Sequence, residues 1–491
     1  MGTGILLTAA LLSAAAFDAP QTPGPDPNAP PAPPSPPSIN GQVEMTKGAV
    51  VERIACLSDP TQTYALYLPT AWAPDHPLPV LVLMDPRGRA LVPVELFRRA
   101  AEARGWILMS SYDTASDGPW EPNQKAVRAL LPETQRYAAD PHRVYLSGFS
   151  GTARVSWEFG LRLPGRVAGL IGFGGGLPFP STKLRDVRLA FFGASGRLDF
   201  NHEEMRALDE QLEGMKVAHR FESFDGPHSW GPEPLCAEAV DWMELQAMKS
   251  GLRPRADALI EEMVARRRQN ARALETGGDP YEAFLAWRAL ERDLTGLRDV
   301  TEEKTRRAAL ETSRAVKQAQ AEVASLARRQ SAFEVQLSAV LRSFHAPEGP
   351  PPLSRTLAYL QVPALKRRAA DTKDRLEADA AARQLELAFV HASFYEPREF
   401  LDQSNPDRAL AMLEVAKAIK PDDPRVTYGQ ARAHARAGRK EKAFDALKRV
   451  VEAGAVDAAF LEQDDDLASL RGETAWREIV ERARATQPAD K

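Results

Sequence analysis

The chain has 491 residues, which at roughly 100–200 residues per domain predicts two or three domains instead of one core. Its hydrophobic content of 44% and charged content of 26% are ordinary for a globular protein and exclude wholesale disorder. The net charge of −4 gives no electrostatic reason to expect nucleic acid as a partner, and the two cysteines, Cys56 and Cys236, exclude a multi-cysteine metal or iron–sulfur site.

The first 44 residues predict export followed by a spacer. Residues 5–17 (ILLTAALLSAAAF) are too few to span a bilayer but are typical of a secretory signal, with small residues at 14–16 for cleavage. We therefore expect a signal peptide over residues 1–19 and a periplasmic or secreted protein. An uncleaved N-terminal anchor or a misplaced start is the alternative, because MGTG carries no Lys or Arg. Ten of the 39 prolines fall in residues 20–37 and predict an extended linker over 20–44. We expect no membrane span in the mature chain.

Residues 45–249 have the pattern of an α/β domain. They are rich in glycine, which marks turns, and several apolar runs are continuous, as in strands buried on both faces of a parallel sheet. Helical patterns at 94–103, 123–137 and 203–214 separate the later runs. We predict a doubly wound, mostly parallel eight-stranded sheet, followed by an all-α helical-repeat domain. The predicted strands are residues 50–56, 63–68, 79–84, 106–110, 143–147, 167–172, 187–192 and 217–224.

The most informative motif ends the fifth predicted strand. In LSGFSGTA, Ser150 stands at the apex of a strand–turn–helix, where a nucleophile needs small neighbours because the backbones crowd. Gly148 is one such neighbour, whereas Thr152 stands near the place where glycine is usual. A serine nucleophile also needs a base and an acid that orients the base. Asp199 follows the seventh predicted strand and His228 follows the eighth. The resulting order along the chain, serine, then acid, then histidine, is that of a known hydrolase fold.

In these residues the chain resembles the α/β-hydrolase superfamily, in particular its lidless esterases and its dienelactone-hydrolase or depolymerase-like members. The resemblance covers about residues 45–249. It implies Ser150 as the nucleophile, His228 as the general base and Asp199 as the residue that orients the imidazole.

The resemblance also implies an oxyanion hole of two backbone N–H groups. One belongs to Gly151, and the other is expected from Arg87, because the preceding Pro86 has no N–H. The loop at 85–89 reads DPRGR where the superfamily often has His-Gly-x. The side chains of Arg87 and Arg89 either attract an anionic group of the substrate or pair with Asp85.

The substrate implied is a small acyl ester or the end of a larger polymer, bound in a shallow, open site. Trp120, Phe149, Phe200 and Trp230 are aromatic residues placed to line it, with core packing as the alternative role. No cofactor and no metal site is indicated. In an exported protein Cys56 and Cys236 would be a candidate disulfide, and two buried thiols are the alternative.

Residues 250–491 have helical patterns. Ala409 and Ala443 are 34 residues apart, the tetratricopeptide period, and the segments around them resemble degenerate repeats of that family. Between residues 316 and 344 apolar residues recur in heptads. We expect a long helical hairpin at about 301–395 that continues as helix beyond 357 with a bend at Pro363, and a homodimeric coiled coil is the alternative. The repeats are candidates for binding a protein partner.

Two functions follow from these patterns, and a peptidase or acyltransferase with the same triad is a third. The first is an exported serine hydrolase, acting on carboxylic esters through a Ser-His-Asp triad. The alternative is a catalytically degenerate hydrolase domain that serves a helical interaction module, to which Thr152 and the unusual loop at 85–88 lend support.

Overall fold

The computed structural model describes residues 46–178, 187 and 189–486. The predicted signal peptide and proline-rich linker lie outside the described residues. The chain divides into two compact units, whose described parts are residues 46–321 and 322–486. No helix in the described ranges is both long and apolar enough to cross a membrane.

The first unit is built on an eight-stranded sheet with strand order β1-β2-β4-β3-β5-β6-β7-β8. The first two strands run antiparallel to their neighbours, and β3 to β8 are parallel. This order and these directions confirm the predicted α/β-hydrolase fold. The strands are β1 (Val50–Ala55), β2 (Thr63–Tyr67), β3 (Leu78–Met84), β4 (Ile107–Ser111), β5 (Ala139–Phe149), β6 (Gly169–Phe173), β7 (Ala190–Gly196) and β8 (His219–Phe224).

Both faces of the sheet are buried because successive side chains of a strand point to opposite sides. In β3, Val80 and Val82 belong to the core on one face, and Leu81 and Leu83 belong to the core on the other. Three helices supply the first core, namely α2 (Glu121–Glu133), α3 (Gly151–Arg162) and α4 (His202–Gly214). The second core is supplied by α1 (Leu91–Arg104) and α5 (Glu233–Lys249). The continuous apolar strands therefore lie in the middle layer of three.

Three more helices complete the first unit beyond the predicted boundary at residue 249. They are α6 (Asp257–Thr276), α7 (Pro280–Leu294) and α8 (Thr301–Thr312). Asp293 of α7 is 1% exposed and forms ion pairs with Arg220 of β8 and with Arg267 of α6, and it accepts a hydrogen bond from Trp242 Nε1 of α5 at 2.9 Å. Helices α6 and α7 are thus fastened to the sheet domain by buried charges.

The long helix α9 (Arg314–His345) contains the boundary between the two units. Many of its predicted heptad positions are buried: Val316, Leu326, Gln330, Phe333, Leu337, Val340 and Phe344. The chain beyond α9 has one more break than the bend at Pro363 that we predicted. It is divided into α10 (Leu353–Tyr359), α11 (Val362–Ala369) and α12 (Arg375–Val390). The first break falls at Gln361, whose φ is 53°. The second break lies between α11 and α12, and there the side chain of Asp374 caps α12 by accepting a hydrogen bond from the N–H of Glu377.

The remaining helices form short hairpins. A π-helical turn, His391–Tyr395, joins α12 to α13 (Glu396–Asp402). Then follow α14 (Pro406–Ile419), α15 (Pro424–Arg436), α16 (Lys440–Glu452), α17 (Ala458–Gln463) and α18 (Thr474–Thr486). The residues that carry the 34-residue repeat, Ala409 and Ala443, are 0% exposed. Small residues at these positions let neighbouring helices pack closely.

Candidate active site

Ser150 occupies a sharp turn between β5 and α3. Its backbone angles are φ 55° and ψ −125°, a conformation that costs free energy in a residue with a side chain. The turn is held by a hydrogen bond from the Ser150 N–H to the carbonyl of Phe173 at 2.8 Å. Gly148 is required beside it, because a Cβ there would lie 2.3 Å from the carbonyl carbon of Thr152. The hydroxyl of Ser150 is thereby presented at the carboxyl edge of the sheet.

Ser150, His228 and Asp199 are brought together at this edge. The Nε2 atom of His228 lies 2.9 Å from Ser150 Oγ, and its Nδ1 atom lies 2.8 Å from Asp199 Oδ1. Asp199 is 0% exposed, and its Oδ1 also accepts the N–H of Asn201 at 2.8 Å. A serine hydroxyl, an imidazole and a buried carboxylate in hydrogen-bonded sequence can pass a proton from the serine to the imidazole.

Thr152 supports the turn in spite of its departure from the usual glycine. Its side chain is buried, and its Oγ1 lies 2.6 Å from the carbonyl oxygen of Met84 and 2.8 Å from that of Phe149. The same hydroxyl accepts the N–H of Phe149 at 3.1 Å. The hydroxyl therefore connects the end of β3 with the serine turn, which a glycine at this position would not do.

Aromatic rings enclose the imidazole of His228. The ring centroids of Phe149 and Phe200 lie 4.6 and 4.4 Å from it. Trp230 packs on Phe149 at 5.9 Å, and both are 8% exposed, so these two predicted substrate residues belong to the core beside the site. Trp120, in contrast, is 41% exposed and is available for contact with a ligand.

Asp85, at the end of β3, is a buried acceptor, whereas the sequence suggested it only as an ion-pair partner of Arg87 or Arg89. Its carboxylate pairs with the guanidinium of Arg89 and accepts the indole N–H of Trp230 at 2.9 Å. Burial by itself would raise the pKa of Asp85, but the hydrogen bonds from Arg89, Trp230 and the Arg87 N–H outweigh it and lower the pKa below its ordinary value. Asp85 thus joins the loop after β3 to the loop that carries His228.

The two predicted oxyanion donors differ in their surroundings. The N–H of Gly151 is at the first position of α3, where a helix offers no intrahelical acceptor, and no acceptor for it occurs elsewhere among the described residues. The N–H of Arg87 is already donated to Asp85 Oδ1 at 2.9 Å, contrary to the prediction of a free donor. The reason is an Asx turn, in which an aspartate side chain accepts the N–H two residues later.

One of the two roles predicted for the arginine side chains of this loop is observed, for Arg89. Arg89 pairs with Asp85, with a distance of 3.0 Å between Nη2 and Oδ2. The guanidinium of Arg87 is exposed and has no hydrogen-bond or ion-pair partner in the described parts of the chain. It is therefore available to an anionic ligand group.

The candidate disulfide does not form. Cys56 and Cys236 are free, buried thiols, and they lie in the two core clusters on opposite faces of the sheet. Burial raises the pKa of Cys56 to about 12 and raises that of Cys236 as well, so both thiols are protonated at neutral pH. Cys56 and Cys236 are therefore the two buried thiols that the sequence allowed as the alternative to a disulfide.

Other histidines and acids near the site are engaged elsewhere. His202 Nδ1 lies 3.0 Å from Ser195 Oγ, and Asp225 pairs with Arg197 at 3.1 Å. The carboxylate of Glu204 pairs with Arg154.

Comparison with known proteins gives matches to each half of the chain. Residues 400–462 match the family model of the tetratricopeptide repeat, which confirms the repeat predicted there.

The chain is similar to a thermostable esterase, with 16% identity over 39% of this chain and 61% of that chain and a TM-score of 0.32. It is also similar to a substrate-bound, fluorophosphonate-binding serine hydrolase of Staphylococcus aureus, with 13% identity over 40% of this chain and 99% of that chain and a TM-score of 0.34. A feruloyl esterase module from Clostridium thermocellum shares 14% identity over 40% of this chain and 86% of that module, with a TM-score of 0.32. At these identities the likeness concerns the fold alone. No curated protein matches the chain.

Proposed function

We propose that the chain is a serine hydrolase that cleaves carboxylic esters through an acyl-enzyme. The observation that carries the proposal is the pair of contacts made by His228, 2.9 Å to the hydroxyl of Ser150 and 2.8 Å to the carboxylate of Asp199. Both contacts are within hydrogen-bond distance, and the nucleophile stands on a strained turn with its own backbone N–H occupied.

The proposed reaction has two steps. Ser150 Oγ attacks the acyl carbon as His228 Nε2 takes its proton, and the imidazolium returns that proton to the departing alkoxide. Water, deprotonated by the same imidazole, then attacks the acyl-serine, and the imidazolium returns this proton to Ser150 Oγ as the acid departs. Asp199 holds the Nδ1–H tautomer and stabilises the imidazolium. The N–H of Gly151 is the proposed donor to the tetrahedral oxyanion.

The proposed substrates are small acyl esters or the ends of ester polymers outside the cytoplasm. The exposed Trp120 offers an apolar contact, and the unpaired guanidinium of Arg87 favours esters that carry a negative charge. Export rests on residues 1–19, and N-terminal sequencing of the mature protein tests it, with a start near residue 20 as the expected result.

A degenerate hydrolase domain is the less favoured alternative. Loss of function would leave no selection on the contacts of His228, yet all three triad side chains remain in hydrogen-bond range. The tetratricopeptide match at residues 400–462 supports a protein partner in addition to catalysis, because arrays of this kind commonly bind peptides.

Replacement of the nucleophile tests the proposal. Ser150→Ala should lower kcat on short p-nitrophenyl esters by roughly 10³-fold or more and abolish labelling by a fluorophosphonate. Ser156→Ala is the matched control, because Ser156 lies on α3, the helix that follows the Ser150 turn, and its hydroxyl donates to the carbonyl of Thr152. Undiminished turnover by Ser150→Ala would refute the proposal, and a parallel panel of amides and polyesters defines the substrate class.

A further inference from the structure

A cluster of histidine and glutamate side chains lies in the second unit, apart from the proposed catalytic triad. His345 is the last residue of α9, and Glu396 and Glu399 stand in the first turn of α13. One donor atom from each of the three side chains lies within 4.8 Å of the others. The closest pair is His345 Nε2 and Glu396 Oε2, at 2.9 Å. The three donors thus surround a common volume.

The π-helical turn His391–Tyr395 adds a second imidazole. At 3.6 residues per turn, residues five apart lie on different faces of an α-helix. Here the N–H of Glu396 bonds to the carbonyl of His391, five residues earlier, which places the two side chains together. His391 Nδ1 lies 3.9 Å from Glu396 Oε1 and is a buried nitrogen without a hydrogen-bond partner among the described residues. Single π-turns within α-helices occur frequently at functional sites.

One carboxylate of the cluster is removed from water. Glu396 is 8% exposed, and its Oε2 lies 2.9 Å from His345 Nε2. Glu399 is exposed and adds a second carboxylate from the next turn of the same helix.

The backbone on both sides of His345 is held by hydrogen bonds from a side chain of another helix. Arg408 donates hydrogen bonds to the carbonyl oxygens of Phe344 and Ala346, at 2.8 and 2.7 Å. Both neighbours of the histidine are therefore held in place, while its own side chain remains 33% exposed and accessible from solvent.

We propose that His345, Glu396 and Glu399 bind a divalent transition metal of the zinc type, with the imidazole of His391 beside the second oxygen of Glu396. One imidazole and two carboxylates suit Zn²⁺, with a water molecule in the remaining position. Ligand atoms about 2.0–2.2 Å from a tetrahedral ion are roughly 3.3 Å apart, within the range that this cluster spans. Mg²⁺ and Ca²⁺ prefer oxygen donors alone and should bind more weakly.

No sequence pattern predicts this site, because its ligands are residues 345, 396 and 399 on two separate helices. No short metal-binding motif spans them. Only the π-turn and the fold of the second unit bring them into contact.

Direct binding tests the proposal without reference to ester hydrolysis. The full-length chain, freed of metal by a chelator, is titrated with Zn²⁺ by calorimetry and with Co²⁺ by visible absorption. We expect one ion per chain, with Mg²⁺ at least 10-fold weaker. His345→Gln keeps a donor toward Glu396 but removes the nitrogen ligand, and Glu399→Gln removes an exposed carboxylate. Each should weaken Zn²⁺ binding by at least 10-fold.

A matched control distinguishes Zn²⁺ binding at this cluster from non-specific binding by acidic side chains. Glu414, on α14 of the same unit, accepts a hydrogen bond from the amide of Gln430 at 3.0 Å, just as Glu399 accepts one from Gln403 at 3.0 Å. Glu414→Gln should bind Zn²⁺ like the unmodified chain. Absence of stoichiometric binding, or equal affinity in Glu399→Gln and Glu414→Gln, would overturn the proposal. Since Glu399 is exposed, its variant serves even where His345→Gln is misfolded, which circular dichroism would reveal.

Discussion

Gly174 lies against the acid and the base of the proposed triad. A Cβ at this position would be 2.6 Å from Asp199 Oδ2 and 3.0 Å from His228 Nδ1, and the residue has φ 55°. We therefore predict that Gly174→Ala separates the imidazole from its carboxylate. Because a displacement of about 1 Å can cost roughly 10²-fold in rate, kcat/KM for a p-nitrophenyl ester should fall by about that factor.

Gly165 is the control for this change. It also has a positive φ, 77°, but nothing lies within 4 Å of an added Cβ. Gly165→Ala shares the backbone strain, worth about 1 kcal/mol, without the clash. Equal loss of activity in the two variants would show that strain, and not contact with the triad, is responsible.

Asp85 is expected to position His228 through Trp230. The buried carboxylate accepts the indole N–H, and Trp230 packs on Phe149, which packs on the imidazole. Asp85→Asn keeps one acceptor but loses the charge that binds Arg89. We predict a fall in kcat of about 10-fold with little change in KM, together with an altered pH–rate profile. A purely structural role would lower stability and leave the profile of the folded fraction unchanged.

That Ser150, Asp199 and His228 lie together could be predicted, because each follows a strand and parallel strands end at one edge of a sheet. The hydrogen bonds that Asp85 accepts from Trp230 and from the Arg87 N–H could not. Which acceptor captures the N–H of Arg87 depends on the side-chain rotamer of Asp85 and on Trp230, 145 residues away along the chain. Thr152 was misleading for a similar reason, since its hydroxyl finds an acceptor on another strand.

At the scale of elements, Asp293 connects helix α7 with α5, α6 and β8. Its carboxylate is nearly inaccessible and faces Arg220, Arg267 and the indole of Trp242. We predict that Asp293→Asn, which still accepts from the indole, leaves two buried guanidinium groups without this partner. The loss should be about 3 kcal/mol, or roughly 6–12 °C in the melting temperature of the first unit.

Asp299→Asn provides the comparison for thermal melting. Asp299 lies on the exposed loop before α8 and accepts from the backbone and hydroxyl of Thr301, which an asparagine oxygen can also do. It should melt like the unmodified chain. If Asp293→Asn melts at the same temperature as Asp299→Asn, helices α6 and α7 are not held by this charge.

Element prediction succeeded where hydrophobic periodicity decides the structure and failed where side-chain contacts do. All eight strands were found, because residues buried on both faces give continuous apolar runs. The segment after residue 357 was predicted as helix with a bend at Pro363, and its first break falls at Gln361, just before that proline. The second break, before Asp374, was not predicted, and it contains neither glycine nor proline. The π-turn at His391–Tyr395 likewise has no sequence signature, since it depends on packing around it.

At the scale of the whole molecule, buried carboxylates make stability depend on pH. Glu238 is the clearest case, because it faces Arg220, Arg266 and Arg267. Burial would raise its pKa, but these guanidinium groups outweigh burial and lower the pKa from 4.5 to about 2. A folded-state pKa below the unfolded value means that the unfolded chain binds a proton more readily. The stabilisation is therefore complete above about pH 4.5 and is lost as the pH falls toward 2.

A variant of Glu238 measures how much its ionised carboxylate contributes to the stability of the fold. The difference of about 2.5 units corresponds to roughly 3 kcal/mol at neutral pH. Glu238→Gln, which cannot titrate, should melt well below the unmodified chain at pH 7. The gap between the two melting temperatures should narrow steadily between pH 4.5 and 2, because only the unmodified chain loses this interaction in acid. Calorimetric scans at half-unit intervals of pH measure the gap. A gap that stays constant over that range would show that the ionised carboxylate of Glu238 does not stabilise the fold.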